Sequence, residues 1–320
     1  MSIRSHTAQA QACQPVRDAG APFNDVDPIH AVILRSSDNV DFFVLKLFLA
    51  RASSFFSGMF ELPDPHTVAS IDDEDHRQGV AIVRMQESSH ALDVLLRMCY
   101  PVDNPDLSDL QDVRLALECC HKYVIECFEG TLKAALLRAA DARPLAVYAL
   151  ACRYRFEDVA NDAAKRLLFK PFRSHSEADL FDLTGVQYQR ILQYHRNCSL
   201  KATTEPPVTW FNALVAGSTT SSSSPTTSQS CRTQFHFFYA ATQPSKSFWV
   251  PHWWTAYLHK ALEAVKDRPR GSTVTAPELL EPFNKLALQC AECMEESVIA
   301  LHKLSTALAL EVEKAVNQVS

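Results

Sequence analysis

Apolar and polar positions follow two rhythms along this chain, and the change between them near residue 46 sets the expected fold. Val32-Ile33-Leu34 and Val40-Asp41-Phe42-Phe43-Val44 are short runs rich in β-branched and aromatic residues. The turn-prone Ser36-Ser37-Asp38-Asn39 separates them, which predicts a β-hairpin. Past Lys46, residues Leu47, Phe48, Leu49, Phe55, Phe56, Met59 and Phe60 recur at helical spacing. Ser53 or Ser54 suits the N-cap of the helix that carries these aromatics. Leu62-Pro63-Asp64-Pro65 must end it, because proline cannot continue a helix.

Further on, Val80, Ile82 and Met85 form a third strand, and Ser88-Ser89 cap a helix with Leu92, Leu95, Leu96 and Cys99 on one face. Cys99-Tyr100-Pro101 ends that helix. Leu110 to Tyr123 predicts an amphipathic helix with Val113, Leu117 and Cys120 inward, and Ile125 to Ala140 another with Leu132, Leu136 and Leu137. Pro144 suits a first helical turn, followed by Val147, Tyr148, Leu150, Ala151 and Tyr154. Helices are also expected over 157–169, 178–183 and 186–195. In the last third, Phe248-Trp249 and Trp253-Trp254 open a helix running through Val265, Pro277 opens a second, and a helical pattern runs from Phe283 to Val316. Leu301, Leu304, Leu308, Val312 and Ala315 are spaced 3, 4, 4 and 3 apart, the stripe of a helix lying along a partner helix of the same chain.

The segments between these patterns divide the chain. Residues 1–24 read as a flexible tail. The acidic stretch with Asp72, Asp73, Glu74 and Asp75 reads as a solvated loop, with a peptide-binding acidic patch as the sharper alternative. From Gly217 to Ser230 no apolar residue interrupts a Ser/Thr tract, which predicts a disordered linker.

Composition then narrows the function. Hydrophobic residues make up 47% and charged residues 21%, with a net charge of −6, so no global field draws in nucleic acid or an anionic membrane. Arg268-Pro269-Arg270 is too short to track phosphates. The polar opening residues lack a secretory signal, and no apolar run reaches the roughly 20 residues of a membrane span. The ten cysteines therefore read as thiols of a reducing compartment, cytoplasmic or nuclear.

Candidate chemistry is sparse. Cys290-x-x-Cys293 has metal-like spacing, and a structural zinc would need two more ligands. Cys231 and His236, or Cys198, are the residues that would supply them. Inside a helix the same two cysteines would instead be small core residues, and both readings stand. Cys119-Cys120-His121 places a thiol beside an imidazole, but neighbours on a helix point about 100° apart, so the core reading is favoured. No H-E-x-x-H, G-x-S-x-G or phosphate-cradling loop occurs, and there are only 7 glycines. The chain is expected to be non-catalytic.

Phe43, Val44, Lys46, Leu47, Leu49, Ala50, Ser53, Phe56, Met59 and Phe60 fall on a pattern that resembles the opening of a BTB/POZ domain. Ala31 and Leu45 depart from it where the family carries an acidic residue and a histidine near its partner-binding pocket. Leu95-Leu96-Arg97-Met98-Cys99-Tyr100-Pro101 and Tyr148-Ala149-Leu150-Ala151-Cys152-Arg153-Tyr154 resemble the form common in mushroom-forming fungi. Many of those relatives carry a second Cys-x-x-Cys where this chain has Cys231-Arg-Thr-Gln234, and glutamine is a poor zinc ligand. The resemblance implies an α+β BTB/POZ-like domain over 25–140, a small sheet flanked by helices. A helical extension over 141–198 and a helical C-terminal region over 231–320 would follow. It implies a protein-binding scaffold or adaptor with other proteins as partners, including a second copy of itself, through Phe42, Leu45, Leu47, Phe48 and Arg51. Some relatives serve a cullin-type ubiquitin ligase and others transcription, which leaves a zinc-stabilised adaptor as the alternative role.

Overall fold

The structure is a computed structural model that describes residues 15–25, 30–62, 76–172, 177–180, 182–204, 232–236, 247–289 and 297–319. It is an α+β molecule, mostly helical, with one small sheet and a separate two-stranded ribbon among the described residues. The chain divides into two compact units, Met1–Ala139 and Ala140–Ser320. No described helix is long and apolar enough to cross a membrane.

The first unit is built on the hairpin of β2 (Ala31–Arg35) and β3 (Val40–Leu45), antiparallel with Ile33 opposite Phe43. Asn39 closes the turn at φ 59°, a left-handed conformation that asparagine tolerates better than most residues. On its other edge β2 pairs in parallel with β5 (Val80–Arg84), and β4 (His76–Arg77) pairs antiparallel to β5. The remaining strand is β1 (Arg17–Asp18), parallel to β3, which gives the order β1-β3-β2-β5-β4. Residues 15–24 are thus not a free tail. Phe23 has no exposed surface and its ring meets Phe42 and Tyr100 at 6.1 and 5.2 Å, so apolar burial and strand pairing tie this segment down.

Between β3 and β4 lie α1 (Lys46–Ala52) and α2 (Ser54–Glu61), and after β5 come α3 (Ser89–Cys99), α4 (Leu110–Lys122) and α5 (Glu129–Ala139). Ser53 and Ser88 cap α2 and α3 by accepting from the N–H of Phe56 and Ala91. The apolar face of α3, including Leu92, Leu95 and Leu96, is buried. The helix expected from Ile125 starts later, at Glu129. Val124 turns left-handed at φ 53° and the Ile125 N–H bonds the Cys120 carbonyl at 2.8 Å, a closure that terminates α4 before a new helix can begin.

The second unit opens with α6 (Pro144–Arg153) and α7 (Glu157–Leu167), then a 3-10 turn at Glu177–Leu180 and α8 (Gly185–Thr204). Next comes the ribbon of β6 (Arg232–His236) and β7 (Ser247–Pro251). Phe248-Trp249, expected to open a helix, lie on β7, since a short apolar run does not by itself distinguish strand from helix. The helix starts at His252: α9 (His252–Asp267), followed by α10 (Gly271–Val274), α11 (Pro277–Leu288) and α12 (Ser297–Asn317). Leu301, Leu304, Leu308 and Val312 of α12 share one core with Trp253 and Tyr257 of α9 and with Cys198 of α8. The segments 141–198 and 252–317 therefore contribute to the same compact unit. At Gly271 a Cβ would lie 2.6 Å from the Ala309 carbonyl oxygen, so only glycine lets α10 approach α12 this closely. The Ser/Thr tract at 217–230 lies outside the described residues.

Candidate interaction surface

The residues that resembled an interaction surface lie where β3 runs into α1. Leu45 ends the strand and occupies the N-cap position, where its side chain cannot cap. Instead its N–H donates to the Tyr100 hydroxyl at 2.5 Å, and the Tyr100 ring lies 4.6 Å from that of Phe48. Burial pushes the Tyr100 phenol up to about 12, so it stays a neutral acceptor and donor. The corner is held from below by α3, whose last turn delivers Tyr100.

Exposure separates the five residues. Phe42 is 3% exposed and belongs to the core against Phe23, because it sits inside a hairpin covered on both faces. It is therefore corrected from surface to core. Leu45 and Phe48 are half-buried, while Leu47 and Arg51 are exposed, Leu47 at 70%. Phe55 on α2 is also exposed, with its ring 5.5 Å from Tyr123. The corner thus shows an apolar projection at Leu47 with partly shielded neighbours and two exposed cations, Lys46 and Arg51.

Two polar clusters stiffen the unit. Asp41 accepts from Arg35 at 2.6 and 2.9 Å and from Arg77 at 2.9 Å, and Arg77 also reaches Asp18. Burial of Asp41 works against its charge, but the two guanidinium groups outweigh it and hold the carboxyl below its ordinary range. In the second cluster the Ser53 hydroxyl donates to the Tyr123 carbonyl at 2.5 Å, and the Tyr123 hydroxyl donates to Glu87, which Lys122 also contacts. Burial opposes the Glu87 charge, and the bonds from Lys122 and Tyr123 prevail. These clusters join strands to one another and to helices. Sequence reading passed over both. Their one signal was the acid Asp41 inside an otherwise apolar strand, a position that demands a partner.

The thiols of Cys119 and Cys120 are buried and pushed up to about 12 by desolvation, while His121 faces outward. Burial thus disfavours the thiolate at both positions. Of the zinc candidates, Cys231, Cys290 and Cys293 lie outside the described residues, as does the side chain of His236, whose backbone runs in β6. Cys198 is buried in the second core, and that burial pushes its thiol up. Among the described residues no group of three or more His, Cys, Asp or Glu is placed to hold a metal ion.

No family model matches this chain, and no curated protein matches it significantly. The functional reading rests on the residues and their geometry.

Proposed function

We propose that the chain is a non-catalytic, BTB/POZ-type interaction module that binds proteins, a second copy of itself among them, through the β3–α1 corner. The observation that carries this reading is Leu47, 70% exposed at the head of α1, on a corner fixed by Tyr100. An exposed leucine alone needs no explanation. Here it is flanked by half-buried Leu45 and Phe48 and by exposed Lys46 and Arg51, an apolar point with a polar, solvent-accessible margin such as protein interfaces carry. The hairpin, the Ser53-capped helix pair, the returning strand and the helices after it also follow the order that the resemblance implies.

The test is light scattering after size exclusion across a range of protein concentrations, on wild type and on Leu47→Asp. Wild type is expected at twice the chain mass, and the variant at the chain mass with an unchanged circular dichroism spectrum. Because Leu47 is exposed, the aspartate costs the folded chain little. A wild type that runs at the chain mass at every concentration defeats self-association through this corner.

A further inference from the structure

A cavity of about 970 Å³ opens in the second unit, lined by α7, α8 and the C-terminal end of α12. That is at the upper end of the roughly 300–1,000 Å³ of small-molecule sites. Its buried lining is apolar, with Ala164, Ile191 and Val316 all under one-tenth exposed. Its charged lining is of one sign: Lys165, Arg190 and Arg270, with no carboxylate among the lining residues. Arg270 is a positioned cation, 3.1 Å from Glu313 and with its guanidinium 4.4 Å from the centre of the Phe169 ring. Lys165 and Arg190, both exposed, have no carboxylate within ion-pair distance among the described residues. Tyr148 and Tyr194 also line the space, and burial raises both phenols, so they add no negative charge to the cavity.

We infer that this cavity binds one amphiphilic anion, an acidic head group on an apolar body. The head would pair with Lys165 and Arg190, and the body would cover Ala164, Ile191 and Val316. The two halves of the lining argue for one molecule that has both parts. A bare inorganic anion leaves the apolar lining wet, and a neutral hydrocarbon gains nothing from the two cations at the exposed side. The cations sit at the exposed side, where pairing needs little desolvation, and the apolar contact lies deeper, where removal of water contributes most.

Titration calorimetry on the full chain tests this with decanoate, decanol and decyltrimethylammonium, each kept below its aggregation concentration. Decanoate is expected to bind once per chain and at least tenfold more tightly than either analogue. The double reversal Lys165→Glu with Arg190→Glu is expected to weaken decanoate at least tenfold, while Lys260→Glu with Lys303→Glu, an equal charge change at exposed positions outside the cavity, leaves it unchanged. The inference is overturned if decanoate binds no better than the two analogues, if none of the three binds, or if the folded double variant retains wild-type affinity. The comparison among probes needs no variant, so it decides the matter even if the double variant fails to fold.

Discussion

Asp41 has no exposed surface, yet it is an acid in the middle of a strand. Its charge is sustained by Arg35 and Arg77, so what matters is the loss of one partner rather than the worth of the pair. Asp41→Asn leaves two guanidinium groups around a neutral amide, and thermal unfolding is expected to show a loss of about 3–5 kcal/mol. Because the folded carboxyl titrates below its ordinary value near 3.8, its contribution is present above that pH and is lost as pH falls below it. His195 has the opposite sense. It is 6% exposed on α8, its Nε2 has no partner among the described residues, and its ring packs 5.5 Å from Phe172. Desolvation lowers its pKa from 6.5 against the opposing hydrogen bond and charge of Asp267. The unfolded chain therefore takes up this proton first, and stability falls as pH drops through about 6.5. His195→Gln keeps a donor but does not titrate, so its melting temperature should fall less than that of wild type between pH 7 and pH 5.

At the scale of elements, two helix ends show how the chain is punctuated without glycine. Val124 after α4 and Arg155 after α6 both adopt left-handed conformations, at φ 53° and 61°, each followed by an N–H that bonds back five residues, Ile125 to Cys120 and Phe156 to Ala151. A β-branched residue is the poorest occupant of that conformation. Val124→Gly is expected to raise the denaturation midpoint by a stability gain of about 1 kcal/mol, since exposed Val124 gives up little packing. These closures explain part of what the sequence hides. The hairpin, the serine caps at Ser53 and Ser88, and the α12 stripe were legible because each is a local pattern of at least four residues. The pairing of β1 was not, because two residues carry no period and Phe23 gains its place only when the sheet exists. Phe248-Trp249 was misassigned because its strand is as short as a helical turn and equally apolar. The start of α1, with Leu47 and Arg51 exposed on it, follows the local change of period after Lys46, whereas burial of Phe42 depends on the distant Phe23.

At the scale of the whole molecule, each unit has a core of its own, and the proposed pairing of two chains has a thermodynamic consequence. Association of folded chains adds stability by mass action, because a partner binds the native state and not the unfolded one. If the β3–α1 corner joins two copies, the wild-type melting temperature should rise with protein concentration, and that of Leu47→Asp should stay flat. The net charge of −6 per chain opposes the approach of two copies, so added salt should strengthen the complex by screening this repulsion. An interface held mainly by ion pairs at Arg51 would instead weaken with salt. Scanning calorimetry at several concentrations in low and moderate salt therefore separates an apolar interface at Leu47 from an electrostatic one at Arg51. A melting temperature independent of concentration in both salts rules out either.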